Sequence, residues 1–355
     1  METVRVNIRD KSYDIEIAAG NLFQTDFRRF RGSKYAIITD TNVSELYGNS
    51  LENLLKSQGL DVDLIKIPAG ESSKTPENAT IIGRELAARG FDRDSVIIAI
   101  GGGVIGDLTG YIASFYERGI KYIQVPTTLL AQVDSSVGGK TGVDIPEGKN
   151  MFGSFYQPKA VIIDVKTLRT LPEKEIRNGL AEIIKYGMIQ DAELFQDVEQ
   201  NFHNKNDEFY LRVVKMSCRI KARVVELDER ESEFRKILNY GHTVGHAIET
   251  AENYEISHGE AVGLGMIYEG RIAAKLGLLD KESSERQNRL IQKIGLPTTY
   301  NEDSNNLIEI MKRDKKNRQG QLYFVLPTSI GHVKKEGGKV AFPIDEALIR
   351  ECLIK

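Results

Sequence analysis

Apolar and polar residues alternate over Val4–Ile8 and again over Tyr13–Ile17, on either side of Asp10-Lys11-Ser12. That period of two around a polar turn predicts an antiparallel hairpin. The next apolar stretches do not alternate. Tyr35–Thr39, Asp61–Ile67, Ser95–Ile100, Lys121–Val125 and Ala160–Asp164 read as strands buried on both faces, the second closed by Pro68-Ala69-Gly70. Thr75-Pro76-Glu77 opens a helix, with Thr as N-cap, Pro at the first position and Glu in the first turn, and Arg89-Gly90 ends it. Strands alternating with helices predict a mainly parallel, Rossmann-like sheet with helices on both faces.

From Leu171-Pro172-Glu173 onward the period changes to that of helices. Glu173–Tyr186, Asp191–Glu199, Glu208–Glu226, Lys236–Ala251, Ala261–Leu276, Glu282–Ile294 and Ser304–Lys312 carry it, and Leu322–Leu326 is the best remaining strand. The expected organisation is an α/β domain over 1–172 and a mostly α-helical domain over 173–355, with the active site in the cleft between them.

Composition narrows the class. Of 355 residues, 41% are hydrophobic and 28% charged, as in a soluble globular protein. Apolar runs such as Val96–Ile100 are too short for a bilayer, and Met-Glu-Thr-Val-Arg-Val has no apolar signal region. Cys218 and Cys352 match no disulfide or metal framework, so a cytoplasmic location is expected. A net charge of −3 gives no pull toward nucleic acid. Basic residues do cluster at Lys312-Arg313-Asp314-Lys315-Lys316-Asn317-Arg318, either as a solvated face or as a claw for an anionic small molecule.

Glycines 101, 103 and 106 of Gly101-Gly102-Gly103-Val104-Ile105-Gly106-Asp107 fit G-x-G-x-x-G, directly after a strand and before a helical segment. Missing Cβ atoms let backbone N–H groups approach a pyrophosphate; the plainer meaning is a tight turn. No acidic residue follows about 20 positions on, where the fingerprint puts the ribose contact. Asp40, at an earlier strand end, is a substitute, and Glu71 and Lys74 are further candidates. A second polar loop runs from Pro126-Thr127-Thr128 through Asp134-Ser135-Ser136-Val137-Gly138-Gly139-Lys140 and continues at Lys149-Asn150, a plausible anion cradle.

In the helical half, Glu182 and Lys185 stand three apart on one helix face, as a surface pair or as a half-buried carboxylate. Three of the five histidines, His242, His246 and His258, fall within residues 239–260. His242 and His246 share a helix face, and His258 follows where the chain can turn back. Two or three imidazoles with a carboxylate suit a divalent metal such as zinc; satisfied core histidines are the bland alternative. If helical, the stretch also puts Arg235, Asn239, His242 and His246 on one face, a combination a purely structural helix seldom offers its own core.

Together these segments, with Gly179-Leu180-Ala181-Glu182, Leu238–His246, His258-Gly259-Glu260-Ala261-Val262 and Asp314-Lys315-Lys316, resemble the 3-dehydroquinate synthase family of sugar-phosphate cyclases from about Asp40 to Leu326. The resemblance implies that Glu182, His242 and His258 ligate a catalytic Zn2+ or Co2+, with His246 an acid–base or phosphate-contacting group rather than a ligand. It implies NAD contacts from Asp40, Asn42, Glu71, Lys74, Gly102, Gly103, Val104, Asp107, Thr127, Thr128, Lys140, Lys149 and Thr170. It implies substrate contacts from Arg118, Asp134, Lys140, Lys149, Asn150, Lys185, Lys221, Arg235, Asn239, His246 and Lys315 or Lys316, with Lys140, Lys185, Arg235, Asn239 and His246 catalytic. The implied substrate is a phosphorylated sugar acid, 3-deoxy-D-arabino-heptulosonate 7-phosphate, and the implied assembly a homodimer.

The implied reaction, a step of the shikimate pathway, joins transient oxidation at C5, β-elimination of phosphate, re-reduction, ring opening and an intramolecular aldol. Two rivals remain on the sequence: another sugar-phosphate cyclase, such as one making 2-deoxy-scyllo-inosose, and a metal-dependent NAD polyol dehydrogenase, which would not need so many cations. A non-enzymatic dinucleotide-binding module leaves the polar helix face and the Pro126–Lys140 loop without a role.

Overall fold

In the computed structural model, which describes residues 1–301, 304–313 and 321–353, the apolar runs of the first half assemble into one seven-stranded sheet. Its strands are β1 (Glu2–Val6), β2 (Tyr13–Ala18), β3 (Tyr35–Asp40), β4 (Val62–Ile67), β5 (Val96–Gly101), β6 (Lys121–Pro126) and, after a separate hairpin of β7 (Lys140–Ile145) and β8 (Gly148–Phe155), β9 (Ala160–Asp164). They lie in the order β1-β2-β9-β6-β5-β3-β4. The β1–β2 hairpin is antiparallel, as its alternation predicts, and every other pairing in this sheet is parallel.

The helices of this part are α1 (Thr41–Val43), α2 (Asn49–Ser57), α3 (Pro76–Ala88) and α4 (Gly103–Phe115). Strand β5 shows why its run is unbroken. Ile97 and Ala99 pack with Ile82 and Leu86 of α3 and Leu108 and Ile112 of α4, while Ile98 and Ile100 face the other way, onto Leu51 and Leu55 of α2. Each fully buried aliphatic side chain contributes roughly 1.5–3 kcal/mol, so both faces must be apolar. Helix α3 starts as expected: Thr75 Oγ1 accepts from the Asn78 N–H at 3.2 Å, with Pro76 next in line.

Beyond Pro172 the chain forms α5 (Glu173–Gln190), α6 (Ala192–Asn201), α7 (Asp207–Leu227), α8 (His242–Ala251), α9 (His258–Lys275), α10 (Lys281–Lys293) and α11 (Ser304–Arg313). Then come β10 (Leu322–Val325), β11 (Pro327–Ser329), β12 (His332–Val333), β13 (Ala341–Ile344) and α12 (Glu346–Leu353).

The chain divides into two compact units, Met1–Pro172 with Tyr210–Glu226, and Glu173–Phe209 with Leu227–Lys355. A single division at 172 therefore misses the return of α7 to the first unit. Polar anchors explain it: Lys221 Nζ lies 2.8 Å from Asp134, Lys215 Nζ 2.6 Å from Glu2, and Cys218 Sγ donates to the Gln132 carbonyl at 3.2 Å.

Two further expectations need correction. Lys236–Ala251 is not one helix: Phe234–Asn239 is a 3-10 turn, and α8 begins only at His242. Between them Gly241 takes φ 79°, and a Cβ there would stand 2.9 Å from the Val262 carbonyl oxygen. Arg235 and Asn239 therefore do not share a helix face with His242 and His246. The polar loop after β6 is also not loop throughout; Ala131–Ser135 is a π-helical turn, and Lys140, Lys149 and Asn150 lie on the β7–β8 hairpin.

Candidate functional site

In the first unit, the sequence's nucleotide candidates gather beyond the carboxyl ends of adjacent parallel strands. Asp40 ends β3, Glu71 and Lys74 follow β4, Gly102 and Gly103 follow β5, and Thr127 and Thr128 follow β6. The chain passes from β4 to β5 across β3, so the sheet reverses its order of growth at β3, the kind of place where open α/β sheets bind ligands. Gly102 is the N-cap of α4 and brings no side-chain cap, which leaves the first N–H groups of that helix for an anion. A Cβ on Gly102 would meet Thr128 Cγ2 at 3.0 Å, and one on Gly103 would meet Ser135 Oγ at 3.2 Å. Val104 and Asp107 lie in the first turns of the same helix.

A buried cation organises the polar groups nearby. Lys74 Nζ lies 2.7 Å from Asp107 Oδ2 and donates to Asn150 Oδ1 at 2.7 Å. Burial works against the Lys74 charge, but Asp107, Glu71 and Asp144 outweigh it and hold the ammonium above the ordinary lysine pKa. Asn150 sits at φ 54° with its N–H on Asp144 Oδ1 at 2.6 Å. Asp40 caps α1, accepting from the Asn42 and Val43 N–H groups at 2.9 Å each. Thr170 Oγ1 is 2.5 Å from the Tyr47 hydroxyl. Arg118 is exposed on a turn where it and Glu117 have φ of 63° and 48°. Lys140 is exposed at the start of β7, and Lys149 is half-buried on β8.

In the second unit, three helices converge on one point. Glu182 of α5, His242 of α8 and His258 of α9 each bring a ligand atom, and these atoms lie within 4.8 Å of one another. Glu182 Oε1 is 3.5 Å from His242 Nε2 and 3.3 Å from His258 Nε2. The Tyr240 carbonyl can only accept, so His242 Nδ1, 3.1 Å away, carries the hydrogen and Nε2 is left to coordinate. His258 is arranged alike, with Nδ1 3.4 Å from Glu249 Oε1. Burial opposes charge on His258, yet its contacts with Glu182 and Glu249 prevail and push the pKa up to about 10. One carboxylate and two imidazoles at this spacing fit a divalent cation that takes nitrogen and oxygen donors. His246, one turn along α8, keeps its ring centroid 5.2 Å from that of His242 but is not one of the three.

Other polar residues of the second unit are tied in place. Lys185 pairs with Glu182 Oε2, both side chains almost fully buried. Arg235 is buried; its N–H donates to Asp228 Oδ2 at 3.0 Å and its guanidinium to the Glu229 carbonyl at 2.6 Å. Asn239 Nδ2 donates to Glu231 Oε1 at 3.1 Å. Asp228, Glu231, Glu249 and Glu269, which hold Arg235, Asn239, His258 and the start of α8, escape the sequence reading because helical spacing does not reveal which distant group a side chain meets. Lys315 and Lys316 lie outside the described residues.

Residues 64–178 match the family model described as 3-dehydroquinate synthase N-terminal, and residues 179–317 that described as 3-dehydroquinate synthase C-terminal. The chain is 49% identical to the 3-dehydroquinate synthase of Thermodesulfovibrio yellowstonii over 343 residues, which are 94% of this chain and 96% of that one. It is 47% identical to the synthase of Thermoanaerobacter sp., with the same coverage. Among solved structures, a 2-deoxy-scyllo-inosose synthase complexed with carbaglucose-6-phosphate, NAD+ and Co2+ superposes with a TM-score of 0.91 at 27% identity, covering 99% of both chains. A 2-epi-5-epi-valiolone synthase from Streptomyces hygroscopicus, with NAD+ and Zn2+ bound, does so at 0.88 and 28%, covering 98% of this chain and 97% of that one. A probable glycerol dehydrogenase from Sinorhizobium meliloti, at 13% identity and a TM-score of 0.65, shares the fold alone. The chain belongs to the 3-dehydroquinate synthase family and is an enzyme of the lyase type.

Proposed function

We propose that the chain converts 3-deoxy-D-arabino-heptulosonate 7-phosphate to 3-dehydroquinate and phosphate, a step of the shikimate pathway, with NAD and one divalent cation, Zn2+ or Co2+. The observation that carries this reading is the meeting of Glu182, His242 and His258 within 4.8 Å, in a chain nearly half identical to 3-dehydroquinate synthases. Bound in these places, the cation supplies a Lewis acid and the nucleotide a reversible hydride acceptor.

The chain's own residues supply the rest. Asp40, Asn42, Glu71, Lys74, Gly102, Gly103, Val104, Asp107, Thr127, Thr128, Lys140, Lys149 and Thr170 would hold the nucleotide, and the uncapped start of α4 offers its N–H groups to an anion such as a pyrophosphate. Glu182, His242 and His258 hold the cation. Arg235 offers a planar fork suited to a carboxylate, and the Asp228 carboxylate steadies the backbone that carries it. Lys221, fixed by Asp134, and the cations Arg118, Lys140, Lys149, Lys185 and Lys315 bind the anionic substrate, with Asn150 and Asn239 on its hydroxyls. His246 moves a proton in the elimination. We also read the protein as a cytoplasmic homodimer acting without nucleic acid or membrane, a location that its two buried free thiols suit.

Phosphate release from the heptulosonate phosphate, with NAD and Zn2+, before and after chelation, tests the reading. The expected result is release that needs the metal, with no net NADH. Accumulation of NADH without phosphate would replace it with a polyol dehydrogenase, and absence of both signals would point to another sugar phosphate.

A further inference from the structure

The three donor atoms come from separate helices, so their spacing depends on how α8 and α9 are held against each other. Two buried carboxylates outside the donor set address this, and each acts across to the other helix. Glu249 belongs to α8, yet its Oε1 faces Nδ1 of His258, the first residue of α9, at 3.4 Å. Glu269 belongs to α9, yet it accepts three N–H groups at the start of α8: Gly241 on Oε2 at 2.8 Å, and Thr243 and Val244 on Oε1 at 3.1 and 3.3 Å. His242 lies in the middle of that group. Helix α8 has glycine as N-cap and no side-chain cap of its own, so the Glu269 carboxylate is its cap, delivered from α9. Glu249 and Glu269 are 7% and 0% exposed. An anion kept that dry must be held by donors or opposite charge, and Glu269 has three backbone donors.

We propose that Glu249 and Glu269 are positioning residues that cross-brace α8 and α9, each fixing the histidine ligand carried by the other helix, so that the cation site is set before a cation arrives. This rests on the reading of Glu182, His242 and His258 as ligands. Glu249 selects the ring orientation and the Nδ1–H form of His258, leaving Nε2 toward Glu182. Glu269 sets the backbone from which His242 projects. Loss of such outer carboxylates typically weakens metal binding about 10- to 100-fold.

The test uses Co2+ with the metal-free full-length chain, its visible absorption reporting both affinity and coordination. Glu249→Gln, Glu269→Gln and the double variant are titrated below their melting temperatures, which are measured separately. Bracing predicts affinities about 10- to 100-fold lower and altered Co2+ bands in each single variant. It also predicts a double variant weaker than either single but short of the product of the two losses, because both residues fix one assembly. Lower melting temperatures with native Co2+ affinity and spectrum would make both carboxylates merely structural and overturn the proposal. If Glu269→Gln does not fold, Glu249→Gln alone decides by the same criterion. No Co2+ binding by the native chain would instead overturn the ligand reading itself, and the bracing with it.

Discussion

Single side chains near the site carry unequal loads, and Asp228 shows how a residue away from the donors matters. Its carboxylate accepts from the N–H groups of Ser232, Glu233 and Arg235 at 2.8–3.0 Å and from the Ser232 hydroxyl at 2.9 Å. Burial alone would raise its pKa, but these donors win and hold it at about 2, below the ordinary 3.8. A folded pKa below the unfolded one adds stability above the unfolded value and loses it as pH falls through the folded value. The loop should therefore give up roughly 2 kcal/mol between about pH 4 and pH 2. Asp228→Asn should remove that part of the acid dependence and lower stability at pH 7 by a similar amount, measured by urea unfolding at both pH values. An unchanged acid limb would show that Asp228 is not the group responsible. The three histidines were legible because the chain has only five. Glu269 was not, because a Glu eleven residues into a helix gives no sign that it faces the start of another.

Helices and strands differ in how far their sequences declare them. Strands β5 and β9 are almost wholly Val, Ile and Ala, and β3 and β6 carry short apolar stretches buried on both faces of the sheet, so composition marks them. The break at Gly241 has no such mark: apolar residues keep helical spacing through it, and its positive φ and the close passage of α9 show only in the structure. The same closeness yields a prediction. A Cβ on Gly265 would stand 1.8 Å from the Gly241 carbonyl oxygen and 2.9 Å from Gly245 N, both backbone atoms that cannot turn aside. Gly265→Ala should cost at least the upper part of the about 1–3 kcal/mol typical of overpacking. It should also separate α8 from α9 and weaken Co2+ binding. Native stability in a denaturant melt would mean that the helices can part without penalty. The β7–β8 hairpin escaped for the opposite reason: its strands are largely polar or exposed, and their pairing rests on backbone hydrogen bonds that no side-chain period announces.

Across the whole chain, the order of residues and the order of units disagree. Residues 210–226 belong with the first 172, although both flanks belong to the second unit. Residue period could not show this, because α7 reads as one helix from end to end. Its return covers the Gln132 carbonyl with the Cys218 thiol, whose pKa burial pushes up to about 12, and gives Asp134 its lysine. A fragment ending at Pro172 should therefore lack a fixed fold around Ala131–Ser135 and show weak near-ultraviolet circular dichroism. Sharp, native-like signals from it would show that the segment is dispensable. For the history of such a chain the interleaving has a meaning of its own. Two ready-made genes joined end to end would not give it, since one of them would have had to carry a piece of the other's interior. Shuffling of halves between relatives at residue 172 should likewise be rare, because each exchange would pair a sheet with a foreign α7. The halves of this protein are expected to be inherited together.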